Sequence, residues 1–137
     1  MIEEEINKVR SSYGRCVNNP AFFEAFYDIF VNSHPEIKPM FKNTDMDKQK
    51  GLLKQGISYM FLFAKKSSVG VSAIKRLATM HDKDHLAVKP DLYAFWVNSL
   101  ISTVEKHDKE FTSETKTLWE NVLTPGIKEF KAMYHAK

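Results

Sequence analysis

The chain has 137 residues, 43% of them hydrophobic and 12% aromatic, which suffices to bury one core and argues against a disordered segment. Its net charge of +3 is dispersed, with Lys65–Lys66 and Lys75–Arg76 the nearest approach to clusters, so a nucleic-acid-binding face is not expected. A single cysteine, Cys16, excludes an internal disulfide, and the acidic start MIEEEINK with only short apolar runs argues against a signal peptide or membrane span.

Ten phenylalanines and six methionines against five glycines and five prolines favour helices. A first helix is expected to end near Val17. Asn19-Pro20 reads as the start of the second, with Asn as cap and Pro in the first helical position. From there Phe22, Phe23, Phe26, Tyr27, Phe30 and Val31 recur at three- and four-residue spacing, an amphipathic pattern that stops at Ser33-His34-Pro35. Pro35 can open a short turn to Phe41. Asn43-Thr44-Asp45 reads as a cap, with Asp45 and Asp47 suited to the positive end of a helix dipole. Leu52, Leu53, Gly56, Ile57, Met60, Phe61 and Ala64 mark the buried face of a long third helix reaching about Lys65.

Ser67-Ser68-Val69-Gly70 is expected to be loop, followed by a helix carrying Ile74, Leu77, Ala78 and His81. Lys89-Pro90-Asp91 starts another, with Leu92, Phe95, Trp96, Ser99, Leu100 and Val104. Thr112 or Ser113 caps the last helix, which carries Leu118, Trp119, Val122, Leu123, Ile127, Phe130 and Met133 and should kink at Pro125-Gly126. The sum is an all-α chain of six or seven helices in one domain, residues 1–137.

No GxSxG, GxGxxG, P-loop, HExxH or EF-hand pattern occurs. His81 and His85 stand four residues apart, a spacing shared by helical metal sites and ordinary helix surfaces. His34 falls in a turn before a proline, and His107 and His135 fall near helix ends, where exposure is expected. Trp96 and Trp119 read as helix–helix packing, and Cys16 as a small buried or partly exposed side chain. What remains is a spaced set: Tyr27, Phe41, the Gln49–Leu53 pair on one helix face, and His81. Taken singly, each reads as core or surface.

Taken together, they carry a family resemblance. The run FYDIFVNSHPEIKPMF from Phe26 to Phe41, QKGLLKQGI from Gln49, LATMH ending at His81 and VKPDLY ending at Tyr93 resemble bacterial single-domain globins and the haem domain of flavohaemoglobins. That resemblance runs over essentially the whole chain. It implies a globin fold, a three-on-three helical sandwich around haem b. It also implies His81 as proximal iron ligand, Phe41 packed on the porphyrin, and Tyr27 and Gln49 as distal hydrogen-bond donors. Leu53 would be the apolar distal neighbour restricting access, and Tyr93 a further cofactor contact.

Donors facing polarised O2 would favour tight binding and slow release, with less gain for CO. Beside reversible binding of O2, NO or CO, the resemblance leaves open NO-dioxygenase or peroxidase-like chemistry with a separate reductase, and a gas-sensing role. From the residues alone, a helical interaction module without haem is a fourth reading. The expected setting is the cytoplasm, as a monomer or weak dimer.

Departures from flavohaemoglobins bear on the chemistry. The stretch from His81 to Pro90 is longer than theirs. Met80 stands where they have lysine, Ala132 falls near the position of a glutamate deep in the last helix, and no reductase domain is expected after Lys137. Loss of that polar network argues against strong electron donation to the iron.

Overall fold

The computed structural model describes residues 3–135. The described residues form six α-helices and no strand: α1 (Glu3–Val17), α2 (Phe22–Val31), α3 (Met46–Ala64), α4 (Ser68–Met80), α5 (Tyr93–His107) and α6 (Ser113–His135). Two 3-10 turns, Lys38–Phe41 and Pro90–Leu92, lead into α3 and α5. None of the helices is long and apolar enough to cross a membrane among the described residues.

Local chemistry explains most boundaries. α1 opens on Glu3, Glu4 and Glu5 and carries Arg15 in its last turn, both favourable to the helix dipole. The Asp45 carboxylate accepts from Asp47 N and Lys48 N at 3.1 and 3.2 Å, satisfying two orphan donors at the start of α3. Thr112 Oγ1 accepts from Thr115 N at 3.3 Å at the start of α6. The second helix begins at Phe22, two residues later than the Asn19-Pro20 signal suggests. Asn19 Oδ1 accepts from Ala21 N at 2.9 Å and forms an Asx turn ahead of the helix.

The connection expected over Ser67–Gly70 is shorter, because α4 already begins at Ser68. Lys66 takes φ 63° to end α3 in the left-handed region, and Ser67 N donates to Leu62 O at 3.0 Å. Gly70 is therefore helical, and its role is close approach. A Cβ there would lie 2.4 Å from the Leu62 carbonyl carbon and 2.5 Å from Phe63 N, so α4 can cross α3 only with glycine at this point. α6 continues through Pro125-Gly126, and a Cβ on Gly126 would meet Met60 Cε at 2.8 Å.

α3 and α4 pack on each other and both pack on α6, α1 also lies against α6, and α2 packs on α5. Trp119, Phe22, Phe26, Ile57, Ile74 and Leu100 are among the fully buried side chains between them. Leu52, expected on the buried face of α3, is half exposed, and the buried stripe is Leu53, Ile57, Met60, Phe61 and Ala64. His107, expected at the surface, is half-buried, with Nδ1 donating to Thr103 O at 2.8 Å and its ring edge-on to Phe22. The side chain of His135 lies outside the described residues. Cys16 is buried, and burial pushes its thiol up to about 12.

One polar network ties α1 to the α5–α6 connection. The buried Asp108 carboxylate accepts from Ser12 Oγ at 2.6 Å, Arg15 Nε at 2.6 Å and Nη2 at 3.1 Å, and Glu110 N at 2.9 Å. Ser12 Oγ in turn accepts from Trp119 Nε1 at 2.9 Å. Burial alone would raise the Asp108 carboxyl, but the bonds from Arg15, Ser12 and Glu110 outweigh it and hold it below the usual carboxylate range. Its folded pKa is depressed, so its stabilising contribution is present above the unfolded value and disappears as pH falls through the folded one. Asp108→Ala is expected to destabilise the protein by about 2–4 kcal/mol at neutral pH, measured by chemical denaturation. The gap between wild type and variant should narrow as pH falls below about 4.

Candidate functional site

Between the helices lies a cavity of about 290 Å³, lined mainly by apolar side chains. Its polar lining is Tyr27, Gln49, Gln55, Tyr59, His81 and Tyr93, and no Lys, Arg, Asp or Glu borders it among the described residues. All six residues singled out from the sequence, Tyr27, Phe41, Gln49, Leu53, His81 and Tyr93, meet here although they come from four helices and a turn. Trp96, read as packing, also reaches the cavity, as do Phe130, Leu86 and Val88.

His81 caps the C-terminus of α4 with its N–H directed to Leu77 O and Ala78 O at 3.1 and 3.2 Å. Its Nδ1 lies 2.6 Å from Leu77 O. A carbonyl can only accept, so the proton sits on Nδ1 and the lone pair of the neutral ring is on Nε2. Burial lowers the imidazole pKa and favours the neutral ring, outweighing the bond to Leu77, which acts in the opposite direction. The ring stacks on Phe130 of α6, with centroids 5.3 Å apart and planes 12° apart.

The apparent His81–His85 pair does not survive folding. Because α4 stops at Met80, the two are not one turn apart on a helix. His85 is half exposed in the following loop, where its Nδ1 meets the buried Asp82 Oδ1 at 2.7 Å. That loop folds back on the helix end: Leu86 N donates to Met80 O, Ala87 N to Asp82 O and Val88 N to His81 O at 2.8–3.1 Å. Ala87 takes φ 53° to make the turn. The lengthened stretch before Pro90 thus satisfies the carbonyls at the α4 terminus and lays Leu86 and Val88 along the cavity. Among the described residues no cluster of three His, Cys, Asp or Glu could hold a metal ion.

Tyr27 from α2 and Gln49 from α3 meet at the cavity wall. Gln49 Nε2 donates to Tyr27 Oη at 3.2 Å, and Tyr27 Oη has the Gln49 carbonyl oxygen at 3.5 Å as acceptor. The second contact is at the outer limit of a hydrogen bond, so the phenol proton is held loosely. Burial pushes the phenol up to about 12, with the Gln49 bond opposing. Phe41 packs edge-on against Tyr27 and Phe30, at 5.6 and 6.0 Å between centroids.

At the start of α5 the Tyr93 ring tilts against Phe130 at 5.5 Å, and its buried hydroxyl has no hydrogen-bond partner among the described residues. Ala132, near the position of the flavohaemoglobin glutamate, is exposed. The α6 residue beside the imidazole is instead Phe130, which sequence spacing marked only as core.

These features fit an iron porphyrin: apolar walls, one neutral imidazole nitrogen with a free lone pair, and a polar pair on the same cavity. Gly56, in the interior of α3 and on the cavity lining, adds to the fit. A Cβ there would meet nothing within 4 Å, so its absence leaves space for a group in the cavity.

Comparison with known proteins agrees with this geometry. The sequence model of the Globin family matches residues 24–128. Protein PA3967 from Pseudomonas aeruginosa PAO1, whose crystal structure is described as structurally highly homologous to a human hemoglobin, superposes with a TM-score of 0.93. It is 35% identical, over 96% of this chain and 99% of that one. No protein of curated function matches the chain.

The burial of Tyr27 has a titration signature. Its folded pKa is raised, so the stability it contributes is complete below about pH 10 and is lost as pH rises toward 12. In alkaline absorbance titrations, Tyr27→Phe should remove a phenol with a midpoint near 12; loss of one near 10 would contradict the placement.

Proposed function

The chain belongs to the globin family, and we propose that residues 1–137 form one domain that holds haem b and binds O2 reversibly. His81 is the axial iron ligand in this reading. The observation that carries it is the tautomer of His81: with Nδ1–H committed to Leu77 O, Nε2 is the nitrogen left to bind iron in an apolar cavity. When bound, haem would supply a ferrous iron able to bind O2, NO or CO. The likeness of the Pseudomonas protein to a human hemoglobin supports the same reading.

Each remaining site residue has a task that follows from its chemistry. Tyr27 keeps its proton on Oη across the physiological range and, held only weakly by Gln49 O, can turn it toward a polarised diatomic ligand. Gln49 orients the phenol by donating to Oη and offers a second amide proton. Leu53 and Phe41 keep the surroundings of that donor apolar, which strengthens its bond relative to water. Tyr93, which lines the cavity beside Phe130, would contact the cofactor. Burial keeps the His81 imidazole neutral, and its Nδ1–H partner is an uncharged carbonyl rather than a carboxylate, so the ring donates weakly, which favours reversible binding over bond-breaking chemistry.

The donor assignment is tested by flash photolysis and rapid mixing. Tyr27→Phe should release O2 about 10- to 150-fold faster, equivalent to losing about 1.5–3 kcal/mol, while CO release changes much less. An unchanged O2 dissociation rate would overturn the assignment.

A further inference from the structure

The His81 ring is fixed from two directions by different parts of the chain. Leu77, one turn back in α4, fixes Nδ1 through its carbonyl. Phe130 reaches the ring face from α6, nearly parallel to it at 5.3 Å. The hydrogen bond alone permits the imidazole plane to swing about the axis through Nδ1, because a carbonyl oxygen accepts over a broad range of directions. A parallel aromatic face removes that freedom.

The surroundings hold Phe130 in turn. It is buried, Tyr93 tilts against it at 5.5 Å, and both side chains border the cavity. The Tyr93 hydroxyl has no hydrogen-bond partner among the described residues, so its contribution on this side comes from the ring.

We propose that Phe130 is a positioning residue for His81: its ring sets the plane of the imidazole, and thereby the direction in which Nε2 presents its lone pair to haem iron. The proposal rests on the reading of His81 as the axial ligand. It adds an orienting contact made by an apolar side chain of the last helix. Phe130→Leu removes the ring and keeps most of the volume, whereas Phe130→Tyr keeps the ring and serves as the rescue.

Two readouts separate this role from core packing. In the haem-free protein, NMR of the His81 ring protons should show the upfield displacement that a stacked ring imposes. That displacement should be lost in Phe130→Leu and retained in Phe130→Tyr. In the haem-loaded ferrous protein, the iron–imidazole stretching band in resonance Raman should shift in Phe130→Leu only. Haem transfer to an acceptor apoprotein should become about 2- to 10-fold faster in the same variant. If wild type binds haem and Phe130→Leu leaves both the ring-proton resonances and the iron–imidazole band unchanged, the positioning role is overturned alone. If wild type takes up no haem, the axial-ligand reading falls and the positioning role with it.

Discussion

The 2.6 Å bond from His81 Nδ1 to Leu77 O is the constraint on which the site depends. It uses a carbonyl of the last turn of α4 that also accepts from the His81 backbone N–H at 3.1 Å, so the acceptor that closes the helix also holds the ring. The same contact fixes the imidazole tautomer, so helix termination and ligand presentation are one event. The loop after His81 completes it, with Leu86, Ala87 and Val88 closing the carbonyls of Met80, Asp82 and His81. Had α4 run on to His85, these acceptors would be used within the helix, and the loop would not bring Leu86 and Val88 to the cavity.

The cavity exists because the helices around it are held at set separations elsewhere. Gly70 brings the α4 backbone against Leu62 and Phe63 of α3, which fixes how the helix bearing His81 lies on the helix bearing Gln49 and Leu53. The Asp108 network pins α1 to α6 through Ser12, Arg15 and Trp119. A well-packed core transmits such placements over the length of a helix, because side chains cannot move independently at crystal-like density. Space at Gly56 is the complement of that rigidity: an opening in a helix interior where alanine would favour the helix by about 1 kcal/mol.

Much of this was legible in the sequence, and the failures have identifiable causes. Asp45 as cap, the helical start at Pro90 and the apolar stripes of α2, α5 and α6 depend on chemistry within a few residues. Tyr27, Phe41, Gln49, Leu53, His81 and Tyr93 could be named because a family resemblance placed them together, and they do line one cavity. Gly70 was misread as loop because a glycine needed for backbone contact looks the same in sequence as one needed for a turn. Leu52 was assigned to the buried face, although a helix stripe narrows where neighbours are close. The contact of Phe130 with His81 and the Asp108 network were not foreseen. Both join residues about fifty to a hundred positions apart, and no local pattern marks such pairs.

The central claim is that this fold presents one nitrogen, His81 Nε2, to haem iron. Titrating the purified haem-free protein with haem and recording the visible spectrum tests it most directly. Wild type and His85→Ala should each take up one equivalent and give the same Soret band. His81→Gly should fail to give that spectrum until free imidazole is added. A His81→Gly protein with the wild-type spectrum, or a wild type that takes up no haem, would contradict the account.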